Sequence, residues 1–299
     1  MTRPVVPGSA LEGTPFRPCL LGPDPARSLE VPMFIPISST CATSSAEAGA
    51  FMRLLARVAM VAVLASCGGG GGDGGGGGTT VDEAPGGLWS GTLVIDGQAG
   101  RQDFVGISTD DGRFRFISVD TEGQFSGMVT VAGTRVTGSG KAFAPPGFTW
   151  RDGSTVANLT MTGTLRERKS MEGAWTSGTG ESGTFALAYD TDYEKDSSLA
   201  LLVGVWTVYD DNLNPFATFT IEADGQFSGQ NAAGCTSVGR ISIIDPAFDV
   251  YGIASSISNC AIAGDYEGLG VLGSIASPDD VFLFSVNNDA RALLLGLER

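Results

Sequence analysis

The feature that most constrains the fold is a series of turn signals that recurs about every 8–12 residues from Gly87 onwards. Asp96-Gly97 and Asp110-Asp111-Gly112 are two of them, and apolar residues alternate with polar ones between successive turns. Long amphipathic helical windows are absent from this part of the sequence. The pattern predicts an antiparallel meander of short strands, and a sheet that long closes into a barrel or a sandwich because closure removes its edges.

The alternation predicts about eight strands between Gly87 and Asp190, joined by short turns. The predicted strands are Leu88–Asp96, Phe104–Thr109, Phe114–Val119, Gln124–Val131, Arg135–Phe143, Thr155–Arg168, Met171–Thr176 and Thr184–Tyr189. After an acidic, polar stretch, Ser197-Ser198 offers a helix N-cap before Leu199–Val203, which predicts one short helical turn. A second β unit of similar length follows.

The second unit resembles the first at its beginning. Gly204-Val205-Trp206 matches Gly87-Leu88-Trp89, and Asp224-Gly225-Gln226-Phe227 then matches Asp111-Gly112-Arg113-Phe114. This alignment predicts two copies of one β unit. A rival explanation is that any two glycine-rich β segments look alike, since the chain contains 44 glycines.

A competing register aligns the identical pentapeptides Gly123–Gly127 and Gly225–Gly229. We prefer the first alignment because it requires the smaller insertion. The closing strands are also predicted to correspond, with Gly183–Leu187 equivalent to Asp280–Phe284.

We therefore predict an all-β fold class, with two tandem antiparallel meander units that are each a small barrel or sandwich of about eight strands, after a disordered N-terminal region. The predicted divisions are an unstructured leader over 1–51, a signal over 52–67, a glycine-rich linker over 68–86, a first unit over 87–190, a linker over 191–198 and a second unit over 199–299.

The segment Met52–Gly78 indicates export. Arg53 and Arg57 precede a short apolar run, which ends in Leu64-Ala65-Ser66-Cys67 and is followed directly by a glycine tract. The run is too short to span a bilayer, which takes about 20 apolar residues, but it suits a secretory signal. A short buried helix is the alternative, and the glycine tract argues against it because glycine cannot extend a packed core.

Leu64-Ala65-Ser66-Cys67 resembles the lipobox of bacterial lipoproteins. The resemblance implies cleavage before Cys67 and attachment of lipid to its thiol, so that the membrane is a partner through this anchor. Two or more acyl chains hold a protein stably at a membrane. Gly68 follows the cysteine instead of the aspartate that the family links to inner-membrane retention. We therefore expect a lipid-anchored protein of the bacterial cell envelope, in the outer membrane.

Residues 1–51 conflict with this interpretation, because an export signal belongs at the start of a protein. The leader is rich in proline and serine and shows no clear period. Our hypothesis is that translation begins at Met52, and native peptides from residues 1–51 would refute it.

Composition excludes several chemistries. The chain contains no histidine, which removes the Ser-His-Asp triad, the Cys-His pair and histidine metal sites. The residues after Cys67 include 13 basic and 29 acidic ones, a net charge of −16, which disfavours nucleic acid as a partner. We expect no enzyme, no catalytic residue, no metal and no cofactor. A carboxylate-based enzyme stays open as an alternative.

Three acidic pairs stand in turn-like contexts, namely Asp110-Asp111, Asp210-Asp211 and Asp279-Asp280. Their oxygens would suit calcium. We prefer turn chemistry as the explanation, because aspartate accepts hydrogen bonds from nearby backbone amides.

Cys235 and Cys260 are predicted to form a disulfide. If they face each other in a hairpin, the turn is centred between Ala247 and Phe248, where Asp245-Pro246 supplies turn residues. The cell envelope is oxidising enough for the bond. A metal pair is the rival, but no other cysteine or histidine lies nearby.

The segment Phe143–Ser154 is the most distinctive surface candidate. It carries Phe148, Trp150 and Arg151, and aromatic residues and arginine dominate binding hot spots. We predict a contact surface for a protein or small-ligand partner here. The alternative is that Phe148 and Trp150 fold back and cap the end of the barrel.

Gly-x-Trp at the start of each unit resembles the first-strand motif of lipocalin-type barrels, and small glycine-rich barrels of the transferrin-binding-protein type are similar too. The resemblance implies a tryptophan that packs across the barrel floor. The leading hypothesis is a non-enzymatic, lipid-anchored binding or interaction module. The alternative is a lipocalin-like carrier of a small apolar ligand, which would need a cavity of several hundred Å³.

Overall fold

The structure is a computed structural model that describes residues 81–210, 212–274 and 276–299. Within these residues, antiparallel strands form two closed barrels of eight strands each, with consecutive strands adjacent throughout. The all-β fold class with two tandem eight-stranded units is thereby confirmed. The predicted leader and signal, and most of the predicted glycine-rich linker, lie outside the described residues.

The first barrel reproduces the predicted meander. Its strands are β1 Gly87–Ile95, β2 Gln102–Ser108, β3 Arg113–Ser118, β4 Gln124–Ala132, β5 Arg135–Phe143, β6 Val156–Arg166, β7 Ser170–Ser177 and β8 Ser182–Asp190. Each begins and ends within two residues of its prediction. The agreement follows from the alternation of buried and exposed side chains, which is clearest in β6 and β8.

The second barrel has the same connectivity. Its strands are β9 Gly204–Tyr209, β10 Pro215–Ile221, β11 Gln226–Asn231, β12 Thr236–Ile243, β13 Tyr251–Ser258, β14 Gly264–Gly273, β15 Val281–Asn287 and β16 Ala292–Glu298. The predicted helical turn before it is a short 3₁₀ helix, Leu199–Leu201, and the Ser198 hydroxyl accepts a hydrogen bond from the Ala200 amide as expected of an N-cap.

The barrels repeat one another in the register that we prefer. Trp89 lies on the first strand of its barrel and Trp206 on the first strand of the other. Gly112 and Gly225 each precede the third strand in a left-handed conformation, with φ of +90° and +83°. A Cβ on either glycine would lie 2.2 or 2.3 Å from a carbonyl oxygen of the neighbouring hairpin, so both positions require glycine for the same reason.

The predicted equivalence of the closing strands is wrong. Gly183–Leu187 belongs to β8, the eighth strand of the first barrel, whereas Val281–Phe284 belongs to β15, the seventh strand of the second. The second barrel closes with β16 instead. Apolar alternation is the same for any strand with one buried face, so this pattern does not distinguish a seventh strand from an eighth.

The two barrels contact each other through outward-facing apolar residues. Ile107 of β2 and Leu269 of β14 are buried together with Tyr193 and Val250. A hydrogen bond of 2.8 Å joins the Ser285 hydroxyl to the Gln124 side-chain oxygen across the same contact. This packing explains why apolar residues occur on the outer faces of these strands.

The connector over 191–198 is part of that contact. Tyr193 is buried and its ring stacks on Phe248 at 4.7 Å between centroids. The Tyr193 carbonyl accepts a hydrogen bond of 2.9 Å from the Asp249 amide, and the Ser197 amide donates to the Pro246 carbonyl. The predicted linker is therefore packed against the β12–β13 connection.

Candidate functional site

The connection between β5 and β6 carries the three predicted contact residues. Its backbone folds back on itself, because the Ala144 amide donates to the Thr155 carbonyl and the Trp150 amide donates to the Ser154 carbonyl, both at 2.8 Å. A further turn is closed by the Phe148 amide, which donates to the Pro145 carbonyl. The loop is thus held in shape by its own hydrogen bonds.

Phe148 and Trp150 lie in different environments. Trp150 is half-buried, packs against the core of the first barrel and donates from its indole nitrogen to the Ala142 carbonyl at 3.2 Å. Phe148 remains 66% exposed at the tip of the loop. Trp150 therefore caps the barrel, as the alternative interpretation expected, whereas Phe148 does not fold back and is presented to solvent.

Arg151 links the loop to the neighbouring β7–β8 turn. Its amide donates to a Glu181 carboxylate oxygen at 2.9 Å, and its guanidinium lies 3.7 Å from the same oxygen. Burial raises the pKa of Glu181, but hydrogen bonds from Ser177, Thr179 and the Arg151 amide outweigh it and lower the pKa to about 2. Sequence reasoning did not single out Glu181, although this residue holds the base of the loop between β5 and β6. We call this loop, over residues 144–155, the Phe148 loop.

The interiors of both barrels are filled by side chains. Rings of Phe104, Phe116, Phe125 and Trp175 contact one another inside the first barrel at centroid distances of 5.4–5.5 Å. In the second barrel, apolar side chains that include Phe219 line a void of about 10 Å³. A void of that size is about the least that holds one water molecule.

Cys235 and Cys260 form a disulfide, with Cα atoms 5.1 Å apart. The two cysteines lie in the predicted hairpin, but the residue pairing of its strands differs from the predicted one by one position. Thr236 pairs with Ser258, so the ladder would place Cys235 opposite Asn259 instead of Cys260. Asn259 adopts a left-handed conformation with φ of +65°, and this bend beyond the end of β13 accompanies the one-residue offset.

Each acidic pair supplies a carboxylate that accepts from backbone amides, and in two of the three pairs those amides lie in the same turn. Asp110 accepts from the Gly86 amide, Asp210 accepts from the Asn212 and Asn214 amides, and Asp280 accepts from the Ala276 and Ser277 amides. Within the described part of the chain, no group of three or more histidine, cysteine, aspartate or glutamate side chains is arranged to hold a metal ion.

Asp249 is a buried carboxyl that sequence reasoning missed. Both of its oxygens accept from the Leu272 amide, at 3.1 and 3.2 Å. Burial raises its pKa from an ordinary 3.8 to about 7, although the bond from Leu272 and the charge of Lys195 act in the opposite direction. Asp279 and Asp192 reinforce the increase through their negative charges.

We expect the buried Asp249 carboxyl to make stability depend on pH. Between about pH 4 and 7, the Asp249 carboxyl keeps its proton in the folded state but has released it in the unfolded state. The free energy of unfolding therefore falls as the pH rises through that range and then levels off. Asp249→Asn, which keeps an oxygen for the Leu272 amide, should therefore raise the free energy of unfolding at pH 8 by about 2–4 kcal/mol and have little effect at pH 4. Urea unfolding at several pH values measures the difference.

Asp152→Asn is the matched control for Asp249→Asn, because Asp152 is fully exposed. This variant should follow the wild-type pH dependence above pH 5. If the free energy of unfolding changed with pH in the same way for Asp249→Asn and the wild type from pH 4 to 8, burial of Asp249 would not be the cause of the pH dependence.

The residues that predict export and anchoring, with Cys67 among them, lie outside the described residues. Within the described part, no helix has the length and apolar character needed to cross a membrane. The lipid attachment at Cys67 therefore stays a prediction from the sequence.

Comparison with known proteins identifies no family. No protein-family model matches the chain, and no curated protein matches it. Among solved structures, Aeromonas veronii immune modulator A is similar with a TM-score of 0.32 and 12% identity, over 74% of this chain and 96% of that chain. A likeness at this TM-score supports no inference, so the architecture rests on the strand pairing described above.

Proposed function

We propose that this chain is a lipid-anchored protein of the bacterial cell envelope, attached to the outer membrane through Cys67, and that its two barrels act as a non-enzymatic binding module. One observation carries the second part of the proposal: both barrel interiors are filled by side chains. A carrier pocket commonly has about 300–1,000 Å³, far more than the void of about 10 Å³ in the second barrel. A partner would therefore bind to the outside.

The Phe148 loop is the contact surface that we propose on the first barrel. An exposed aromatic ring on a loop fixed by hydrogen bonds loses little conformational entropy when it enters a pocket of a partner. Arg151 beside it adds a cation at the edge of the contact. The partner that this chemistry fits is a protein with an apolar pocket and an acidic rim.

The anchoring is tested by labelling cells with a radioactive fatty acid. We expect label on the wild-type protein and on Ser66→Ala, which keeps a small residue before the cysteine. We expect none on Cys67→Ser, which should also leave the membrane fraction. Equal labelling of Cys67→Ser would overturn the proposed anchor.

We expect Trp150 to contribute to the stability of the first barrel and Phe148 to contribute little. Phe148→Ala should change the free energy of unfolding by less than about 0.5 kcal/mol because the ring is exposed. Trp150→Ala should cost about 1–3 kcal/mol because it removes a half-buried ring and its hydrogen bond to Ala142. Urea unfolding of the two variants measures both effects.

The contact role of Phe148 is tested separately with a photo-crosslinking amino acid. Placed at position 148 in intact cells, it should give a discrete adduct with an envelope protein. Placed at position 162, where an exposed threonine lies on the outer face of β6, it should not. Adducts of equal yield from both positions, or none from position 148, would contradict the proposed contact.

A further inference from the structure

The connection between β12 and β13, over residues 244–250, fastens the second barrel to the connector over 191–198. The Phe248 ring stacks on the Tyr193 ring, and Val250 is fully buried in the apolar cluster between the barrels. Two backbone hydrogen bonds between the connector and the connection, at 2.9 and 3.1 Å, complete the packing. We call this set of interactions the connector contact.

A buried carboxyl lies at the centre of the connector contact. Asp249 is 3% exposed, and its main-chain amide donates one of the two backbone hydrogen bonds, to the Tyr193 carbonyl. Both of its carboxyl oxygens accept from a single amide, that of Leu272 on β14, at 3.1 and 3.2 Å. Asp249 therefore joins the connection to the connector through its backbone and to β14 through its side chain.

The charged groups around Asp249 do not compensate a negative charge there. Lys195 of the connector acts on the carboxyl from a distance but pairs with Asp192 at 3.1 Å. Asp192 and Asp279, which precedes β15, add negative charge nearby. Tyr251 on β13 stays neutral, because burial raises its pKa to about 12. A buried carboxylate that accepts from one amide and pairs with no cation is costly, so the closed contact suits the protonated acid.

Opening of the connector contact releases a proton. Burial raises the pKa of Asp249 from an ordinary 3.8 to about 7 while the contact is closed. In an open contact the carboxyl is hydrated and loses its proton at its ordinary pKa. Each pH unit between these two values therefore favours the open contact about tenfold, and above pH 7 the dependence ends because both forms are ionised.

We propose that Asp249 is a pH-sensitive latch between the two barrels, which holds the connector contact closed when protonated and releases it when ionised. The barrels themselves stay folded, so the latch is a local opening and not the global unfolding that urea measures. The inference goes beyond the proposed function, because it depends neither on the lipid anchor nor on the Phe148 loop.

Amide hydrogen exchange tests the latch on the full-length protein in detergent. The exchange is read by mass spectrometry at pH 5, 6, 7 and 8 and corrected for the intrinsic rate at each pH. In peptides that cover residues 191–198 and 244–250, protection should fall about tenfold per pH unit from pH 5 to 7 and change little from pH 7 to 8. Peptides from β5–β6 and β11–β12 should stay protected over the same labelling times.

Two variants of the same connection assign the effect to one carboxyl. Asp249→Asn keeps an oxygen for the Leu272 amide but carries no charge, so its protection should not depend on pH. Asp245→Asn is the matched control, because Asp245 accepts from the Ala247 amide at 2.9 Å and asparagine keeps that acceptor. It should show the same pH dependence as the wild type.

Three results would overturn the inference. The first is wild-type protection of the connector contact that does not change with pH, and the second is an unchanged pH dependence in Asp249→Asn. The third is a parallel loss of protection in β5–β6 and β11–β12, which would show unfolding of the barrels. The first result requires no variant, so the test holds even if Asp249→Asn does not fold. The crosslinking test at position 148 has a separate readout, so the failure of one proposal is distinguishable from failure of the other.

Discussion

Replacement of Trp206 by alanine should lower the free energy of unfolding by about 3–5 kcal/mol. Trp206 is fully buried, and its indole nitrogen donates to the Leu202 carbonyl at 2.7 Å. The Arg299 guanidinium lies 4.5 Å from the centre of the ring. Trp206 therefore also connects β9 to the residue that follows β16. Its loss removes ring packing, a buried hydrogen bond and the contact with Arg299.

Urea unfolding followed by circular dichroism measures this effect, and hydrogen exchange locates it. Amides of β9–β16 should lose protection in Trp206→Ala, and those of β1–β8 should lose less, since Trp206 packs in the core of the second barrel. Val238→Ala, which truncates an exposed side chain in the same barrel, should change stability by less than about 0.5 kcal/mol. Equal effects of the two substitutions would show that the second barrel does not depend on its tryptophan.

Removal of the disulfide should have the next largest effect. The bond closes a loop with a sequence separation of 25 residues, and the chain-entropy model assigns about 3 kcal/mol to a loop of that length. The two barrels together span residues 87–298. In a domain of that size, the loss corresponds to a fall in Tm of about 6–12 °C. We expect this fall in the double variant Cys235→Ala/Cys260→Ala.

Reductant provides the internal control for the disulfide prediction. Dithiothreitol should lower the Tm of the wild-type protein toward that of the double variant and leave the double variant unchanged. Two free thiols in the folded, exported protein, or a wild-type Tm that reductant does not alter, would contradict the bridge between Cys235 and Cys260.

The strands of the first barrel were predictable because local signals determine them. Turn residues such as Asp111-Gly112 mark the strand ends, and in β6 and β8 buried side chains alternate with exposed ones. The repeat register was predictable for the same reason, since Gly112 and Gly225 meet the same backbone requirement. Signals of this kind are local, and they carry no information about packing between barrels.

The contact between the barrels was not predictable from such signals. Ile107 and Leu269 point outward, at positions where alternation predicts solvent, and only the partner barrel explains their burial. The raised pKa of Asp249 likewise depends on its surroundings and not on its neighbours in sequence. The cysteine hairpin was predicted, but not the bend at Asn259 that displaces Cys260 by one residue.

The candidate site was predictable in part. The composition of the loop singled out Phe148, Trp150 and Arg151, but it did not indicate which aromatic side chain would turn inward. That choice depends on the Ala142 carbonyl, which accepts the Trp150 indole hydrogen bond. The Glu181 carboxylate, which holds the Arg151 amide, lies 30 residues away in sequence and gave no signal.

We infer that filled barrels leave only the outer surface for binding. The most direct test titrates the full-length protein in detergent below its micelle concentration with N-phenyl-1-naphthylamine, whose fluorescence rises in an apolar cavity. We expect no saturable increase in fluorescence and no displacement of the probe by a fatty acid. Saturation at one probe per barrel, reversed by a fatty acid, would contradict it and establish a carrier instead.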